Sequence, residues 1–253
     1  MRLYREIRLR KTADLPTVKM LDLWSSLCKK IVGVPIEVMY GNSEENPQFR
    51  SPSGEVNAAI PMTVEGKPVL CLWLNRVTLD RSNFVIVTHE IGHWVLKLQG
   101  FRGLICEPKK HCDDEILLNS LVHHPPLYAL QRSLGHEPQI EIDSHANHDI
   151  GLLQETELLS AVKTRALYLA DDLLNSSREV QARLRASMMQ RHHETLKLVE
   201  QVTQSAHEYD LLDHRESLEF AKEIVKRLAL DGVWHEIDEI ENLISMAKKS
   251  QPK

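Results

Sequence analysis

Apolar residues recur along this chain with two periods, and the changes from one to the other outline its elements before any chemistry is considered. Val18, Leu21, Trp24, Leu27, Cys28 and Ile31 fall at helical intervals, which predicts an amphipathic helix over Leu15 to Ile31. Val34 to Tyr40 reads as a strand ended by Gly41-Asn42, and the polar stretch Ser43 to Gly54, with its two prolines, reads as a loop. Val56 to Val64 and Lys67 to Leu74 are strand-like runs on either side of Glu65-Gly66, the composition of a hairpin turn. Phe84, Val87, Ile91, Trp94, Val95 and Leu98 then form the stripe of a further helix, with Gly100 where its C-cap is expected.

A third helix is predicted from Cys112 to Val122, where acidic residues precede an apolar run. Beyond Pro125 and Pro126 the pattern changes. Gly135 to Asp149 is polar and reads as a connecting segment, and from Leu152 onward nearly everything reads as helix. Leu158, Val162, Leu167, Leu169 and Leu173 mark one helix, and Ser177 caps a second through Val180, Leu184, Leu196 and Val199. Segments around Leu218 to Leu230 and Trp234 to Met246 complete the set. The expected fold is α+β: a domain over residues 1–135 with a helix, about three strands and two more helices, then an all-helical domain over 150–253.

Chemistry enters at His89-Glu90-Ile91-Gly92-His93, inside the stripe beginning at Phe84. Residues four apart on a helix stand one above the other, so the two imidazoles can close on one ion with the Glu90 carboxylate beside them. Zinc hydrolysis needs neutral nitrogen ligands, a vacant position for water, and a base for the water's proton. His89 and His93 fall away from the centre of the apolar stripe, so the metal face and the packing face differ.

Catalytic zinc usually takes a third protein ligand. Leu96 and Gln99 occupy the places where a metzincin has Gly and His, so that ligand must come from further along. After a loop containing Cys106, Lys109, Lys110 and His111, Glu115 and Asn119 lie four apart on the predicted third helix. A carboxylate at Glu115 suits zinc, and the Asn119 amide one turn on can accept a hydrogen bond from a ligand imidazole. Asp114 is the alternative ligand, on a face shared with Leu118 and Leu121.

The order His-Glu-x-x-His, then Glu-x-x-x-Asn at the head of a helix, then Pro125 and Pro126, resembles the ImmA/IrrE family of small gluzincin peptidases. In size and in its helical C-terminal half the chain also resembles the CapP-like peptidases of anti-phage operons. The resemblance covers roughly residues 15–130 and about half the chain. It departs from the family's second helix, where small and aromatic residues give way to Leu118, Leu121 and Val122. The resemblance implies an intracellular zinc endopeptidase with His89, His93 and Glu115 as ligands and Glu90 as base. It also implies a narrow substrate, a helix-turn-helix repressor cleaved when DNA damage or phage infection is sensed.

Other residues have candidate roles around such a site. Cys112, three residues before Glu115, is a candidate fourth ligand that holds the enzyme latent, because a helix N-terminus favours the thiolate that zinc prefers to water; Cys106 is the second candidate. His123, His124 or Tyr128 can stabilise an oxyanion, and the residues alone do not choose among them. His145 and His148 read as surface histidines, and His235-Glu236 repeats half the zinc motif with Glu239 in place of the second histidine.

Composition sets the remaining bounds. Of 253 residues, 42% are hydrophobic and 26% charged, ordinary for a globular protein with a real core. No apolar run reaches membrane-spanning length, no signal-peptide pattern opens the chain, and four scattered cysteines suggest no disulfide framework, so a reducing cytoplasm is expected. The net charge of −5 argues against a nucleic-acid-binding surface overall, yet residues 1–42 carry eight bases against four acids. Arg2, Arg5, Arg8, Arg10 and Lys11 form a basic arm suited to a phosphate backbone, with single-stranded DNA as an activating partner. The competing expectation is a non-proteolytic regulator that sequesters a repressor or DNA.

Overall fold

The computed structural model describes residues 26, 36–42, 45, 50, 57–75, 84–107, 112–133, 135–155, 162–230 and 232–237. These residues form seven helices and two small sheets, a mixed α+β chain dominated by helix. They fall into two compact units, one ending at Gln99 and the other running from Gly100 to Ile237. No helix among the described residues is long and apolar enough to cross a membrane. The helix predicted over 15–31 lies outside the described residues, Ser26 apart.

In the first unit, β1 (Ile36–Gly41), β2 (Ala58–Val64) and β3 (Lys67–Asn75) form a sheet in the order β1-β3-β2. β1 runs parallel to β3, with Val38 opposite Leu72, and β2 runs antiparallel to it, with Ile60 opposite Cys71. β3 is therefore paired along both edges, and Val69 to Asn75 are buried without interruption. A strand covered on both faces needs apolar residues at every position, which is why this segment reads as a continuous run and not as an alternation. Glu65 and Gly66 turn the β2–β3 hairpin with φ of 51° and 77°. Positive φ at both central residues is the type I′ geometry that matches the twist of paired strands.

The helix α1 (Phe84–Leu98) packs on β2 and β3. Ile91, Trp94 and Val95 of its predicted stripe are buried, while the side chains of Phe84 and Val87 lie outside the described residues. The Trp94 indole N–H donates to the Ala59 carbonyl at 2.8 Å. This bond fixes the rotation of α1 over the sheet and so decides which face of the helix is left for His89 and His93.

The second unit contains β4 (Gly103–Glu107), α2 (Cys112–Ser133), α3 (Gln139–Glu155), α4 (Val162–Asn175), α5 (Arg178–Arg191), α6 (His193–Ala206), α7 (His214–Arg227) and β5 (Val233–Ile237). One apolar core joins them, including Leu104, Leu118, Leu121, Leu167, Leu169, Leu184, Val199 and Phe220. Burying each such side chain contributes about 1.5–3 kcal/mol. α2 runs on past its predicted end at Val122, with Pro125 and Pro126 inside it. A proline cannot donate to the carbonyl four residues back, so Pro126 leaves Val122 without its helical donor. The buried Ser217 hydroxyl of α7 supplies the missing bond, donating to the Val122 carbonyl at 3.1 Å.

Two other expectations are corrected here. The polar stretch over 135–149 is mostly α3, whose core face carries a thin line of Ile142, Ala146, Ile150 and Leu153 that the surrounding polar residues mask. Trp234 begins no helix: Val233–Ile237 is a strand antiparallel to β4, with Trp234 opposite Cys106, so the C-terminal half is not all-helical. Residues beyond 237 lie outside the described residues. Among the described residues the division between units falls at Gln99 and Gly100, and α2 shares its core with α4 and α7.

Candidate metal centre

The zinc-like motif lies where its spacing places it, within α1. The Nε2 atoms of His89 and His93 stand 3.3 Å apart, with ring centroids 4.9 Å apart and ring planes at 84°. Both rings are half-buried, as is Glu90 between them, while the neighbouring Thr88 and Ile91 are fully buried. Two nitrogens bonded at about 2.05 Å to one tetrahedral zinc stand about 3.3 Å apart. The pair therefore fits the donor separation of a zinc site, and the helix alone sets it.

The remaining predicted site residues belong to the second unit. The Glu115 carboxylate, on α2, accepts from the Cys106 backbone N–H at 3.3 Å. Asn119, one turn on, clips α2 to β4: its Oδ1 accepts from the Leu104 N–H at 2.8 Å and its Nδ2 donates to the Leu104 carbonyl at 2.9 Å. That leaves one amide proton for any other partner. The clip depends on Gly103, since a Cβ there would stand 2.5 Å from the Asn119 Oδ1. Cys106 is a fully buried strand residue and not part of a loop. Gly232 backs onto it so closely that a Cβ would lie 2.1 Å from its Sγ. The side chains of Cys112 and Asp114, and the whole basic arm of Arg2, Arg5, Arg8, Arg10 and Lys11, lie outside the described residues.

α2 separates the three oxyanion candidates. His123 is buried, its Nε2 facing the Arg102 carbonyl at 3.4 Å. His124 and Tyr128 share the other face, with ring centroids 5.3 Å apart. The His124 Nδ1 lies 2.5 Å from the Asp171 Oδ2 on α4, and Asp171 is held in turn by the Asn175 amide through its Oδ1 at 2.9 Å. This is the outer-shell pattern of a metal-binding imidazole: a carboxylate fixes one nitrogen and the ring presents the other. Burial first, then the charges of Asp171, Asp172 and Glu141, hold the Tyr128 phenol well above its ordinary pKa against the opposing pull of Arg132. Tyr128 is thus a proton-bearing donor throughout the physiological range.

Asp171 was not legible as a site residue from sequence. Its spacing to Asn175 is a local signal, but its pairing with His124 depends on α2 meeting α4. His235 and Glu236 lie on β5, where Glu236 pairs with Arg102 and Lys222, so the half-motif there holds no metal geometry. No family model, curated protein or solved structure matches the chain.

Proposed function

We propose that this chain is a zinc-dependent endopeptidase of the ImmA/IrrE gluzincin type. It acts in the cytoplasm on a helix-turn-helix transcriptional repressor, in response to DNA damage or phage infection. The observation that carries this reading is the 3.3 Å separation of the His89 and His93 Nε2 atoms with Glu90 between them. His89 and His93 would hold a zinc ion, which when bound would supply Lewis acidity and a water acidic enough to act as a nucleophile at neutral pH. Glu90 takes the proton of the attacking water and passes it to the leaving amine. The third ligand is Glu115 in the reading the resemblance implies. Asp114 is the alternative ligand, one position earlier on the same helix. Tyr128, kept protonated, is the best of the oxyanion donors.

Regulation in this proposal rests on Cys112, whose thiolate closes the site until it is displaced, and on the basic arm around Arg5 and Arg8, which takes single-stranded DNA.

The test uses the full chain, a candidate repressor and metal analysis by mass spectrometry. Glu90→Gln is expected to keep its zinc and lose repressor cleavage by about 100- to 10,000-fold. Retained cleavage removes Glu90 from the mechanism. Whichever of Glu115→Ala and Asp114→Ala empties the site names the third ligand. Cleavage of many repressors per molecule separates the enzyme from a regulator that sequesters one repressor each. In the same assay Cys112→Ser is expected to raise basal cleavage, and an unchanged basal rate removes the latch.

A further inference from the structure

Outside the α1 motif, α3 and α4 bring together a second set of ligating groups. His145, Asp149 and Asp172 each place a nitrogen or carboxylate oxygen within 4.8 Å of the others. The two aspartates are buried, at 0% and 4% exposure. Both Asp149 oxygens and the Asp172 Oδ2 accept no hydrogen bond. Buried carboxylates without donors are costly, and proteins normally satisfy each one. Arg165 is a nearby cation, its Nη2 3.6 Å from the Asp149 Oδ1.

The histidine is arranged as a ligand. Its Nδ1 faces the carboxylates, 2.8 Å from the Asp172 Oδ1, and its Nε2 is held 2.5 Å from the Tyr168 hydroxyl. A partner on the far nitrogen fixes the tautomer and leaves Nδ1 to the ion. The His145 side chain is half exposed, which gives an ion a route from solvent, whereas the aspartates form a closed floor. Helical spacing supplies the pairs: His145 and Asp149 are four apart on α3, and Tyr168 and Asp172 four apart on α4. One imidazole with two carboxylates is a donor set for Zn2+ or Mn2+.

We propose that His145, Asp149 and Asp172 form a second divalent-cation site, held entirely between α3 and α4 and independent of the His89–His93 motif. Without an ion, burial first and then the facing Asp172 raise the Asp149 carboxyl, which favours a proton in the ion's place. A shared proton and a bound cation are thus the two competing occupants, and metal uptake separates them.

The experiment uses the full chain carrying His89→Ala and His93→Ala, stripped with chelator and titrated with Zn2+ by calorimetry. One equivalent is expected to bind. Adding His145→Ala, a change at a half-exposed side chain that spares the core, is expected to weaken binding about 100-fold, the upper end of what even outer-shell changes cost. Asp149→Asn should give the same loss with an unchanged circular dichroism spectrum; if that variant unfolds, His145→Ala decides alone. Absence of uptake in the double-alanine background overturns the site in favour of the shared proton. Uptake that survives His145→Ala also overturns it, since the zinc then sits on other histidines.

Discussion

His89 and His93 need only one helix to bring their nitrogens to 3.3 Å, whereas His145, Asp149 and Asp172 need two helices packed in register before any geometry exists. The first constellation is fixed by a rise of 1.5 Å per residue and a turn of 3.6, which any helix at that position reproduces. The second depends on the core beneath α3 and α4, where Ile142, Ala146, Leu167 and Leu169 set how closely the helices approach. The difference extends to the electrostatics. The α1 pair is two imidazoles at a half-buried face, whereas the α3–α4 cluster buries two carboxylates beside Arg165 and the half-exposed His145. A local motif therefore tolerates perturbation elsewhere in its unit, while an assembled one inherits every tertiary constraint around it.

The sharpest way to break that comparison is to remove a tertiary bond on which the second unit relies. Ser217→Ala strips the donor from the Val122 carbonyl, which Pro126 has already deprived of its helical partner. A buried acceptor left unsatisfied costs about 1–3 kcal/mol. The expected result is a drop of that size in unfolding free energy by urea titration, with α1 and its imidazole pair unaltered in a structure of the variant. A neutral Ser217→Ala would mean that the Val122 carbonyl finds another donor close by, and that the second unit is as locally determined as the first.

The same contrast explains what was legible in the residues alone. The α1 helix, the β2–β3 hairpin with its Glu65-Gly66 turn, and the buried β3 run all follow from local periodicity and turn chemistry. The three misread segments share a different origin. α3 buries one small or aliphatic residue per turn, and Asp149 counts as polar while lying in the interior. β5 is largely exposed and owes its form to backbone pairing with β4, so its side chains carry almost no pattern. Pro125 and Pro126 ordinarily stop a helix, and only a hydroxyl 95 residues away makes Pro126 tolerable. His89 and His93 are visible as a pair because one helix spaces them, whereas Asp171 and Asp172 take their meaning from partners on other helices.

A smaller effect at the start of α5 sharpens the comparison through pH. Ser177 occupies the N-cap position expected of it, but its side chain caps nothing. Asp143 of α3 instead accepts the Ser177 backbone N–H at 2.7 Å and the Gln139 amide at 2.9 Å. Burial alone would raise the Asp143 carboxyl, but these bonds, together with the Ser177 hydroxyl, outweigh it and hold the group below its ordinary 3.8. A depressed carboxylate stabilises the fold fully above the unfolded value and loses that contribution as pH falls through the folded one. Asp143→Asn is therefore expected to lower the urea midpoint modestly near pH 6, with the difference from the unaltered chain closing below about pH 4. A difference that persists unchanged to about pH 3 would show that the Asn amide fails for steric reasons, and that the α3–α5 link owes nothing to charge.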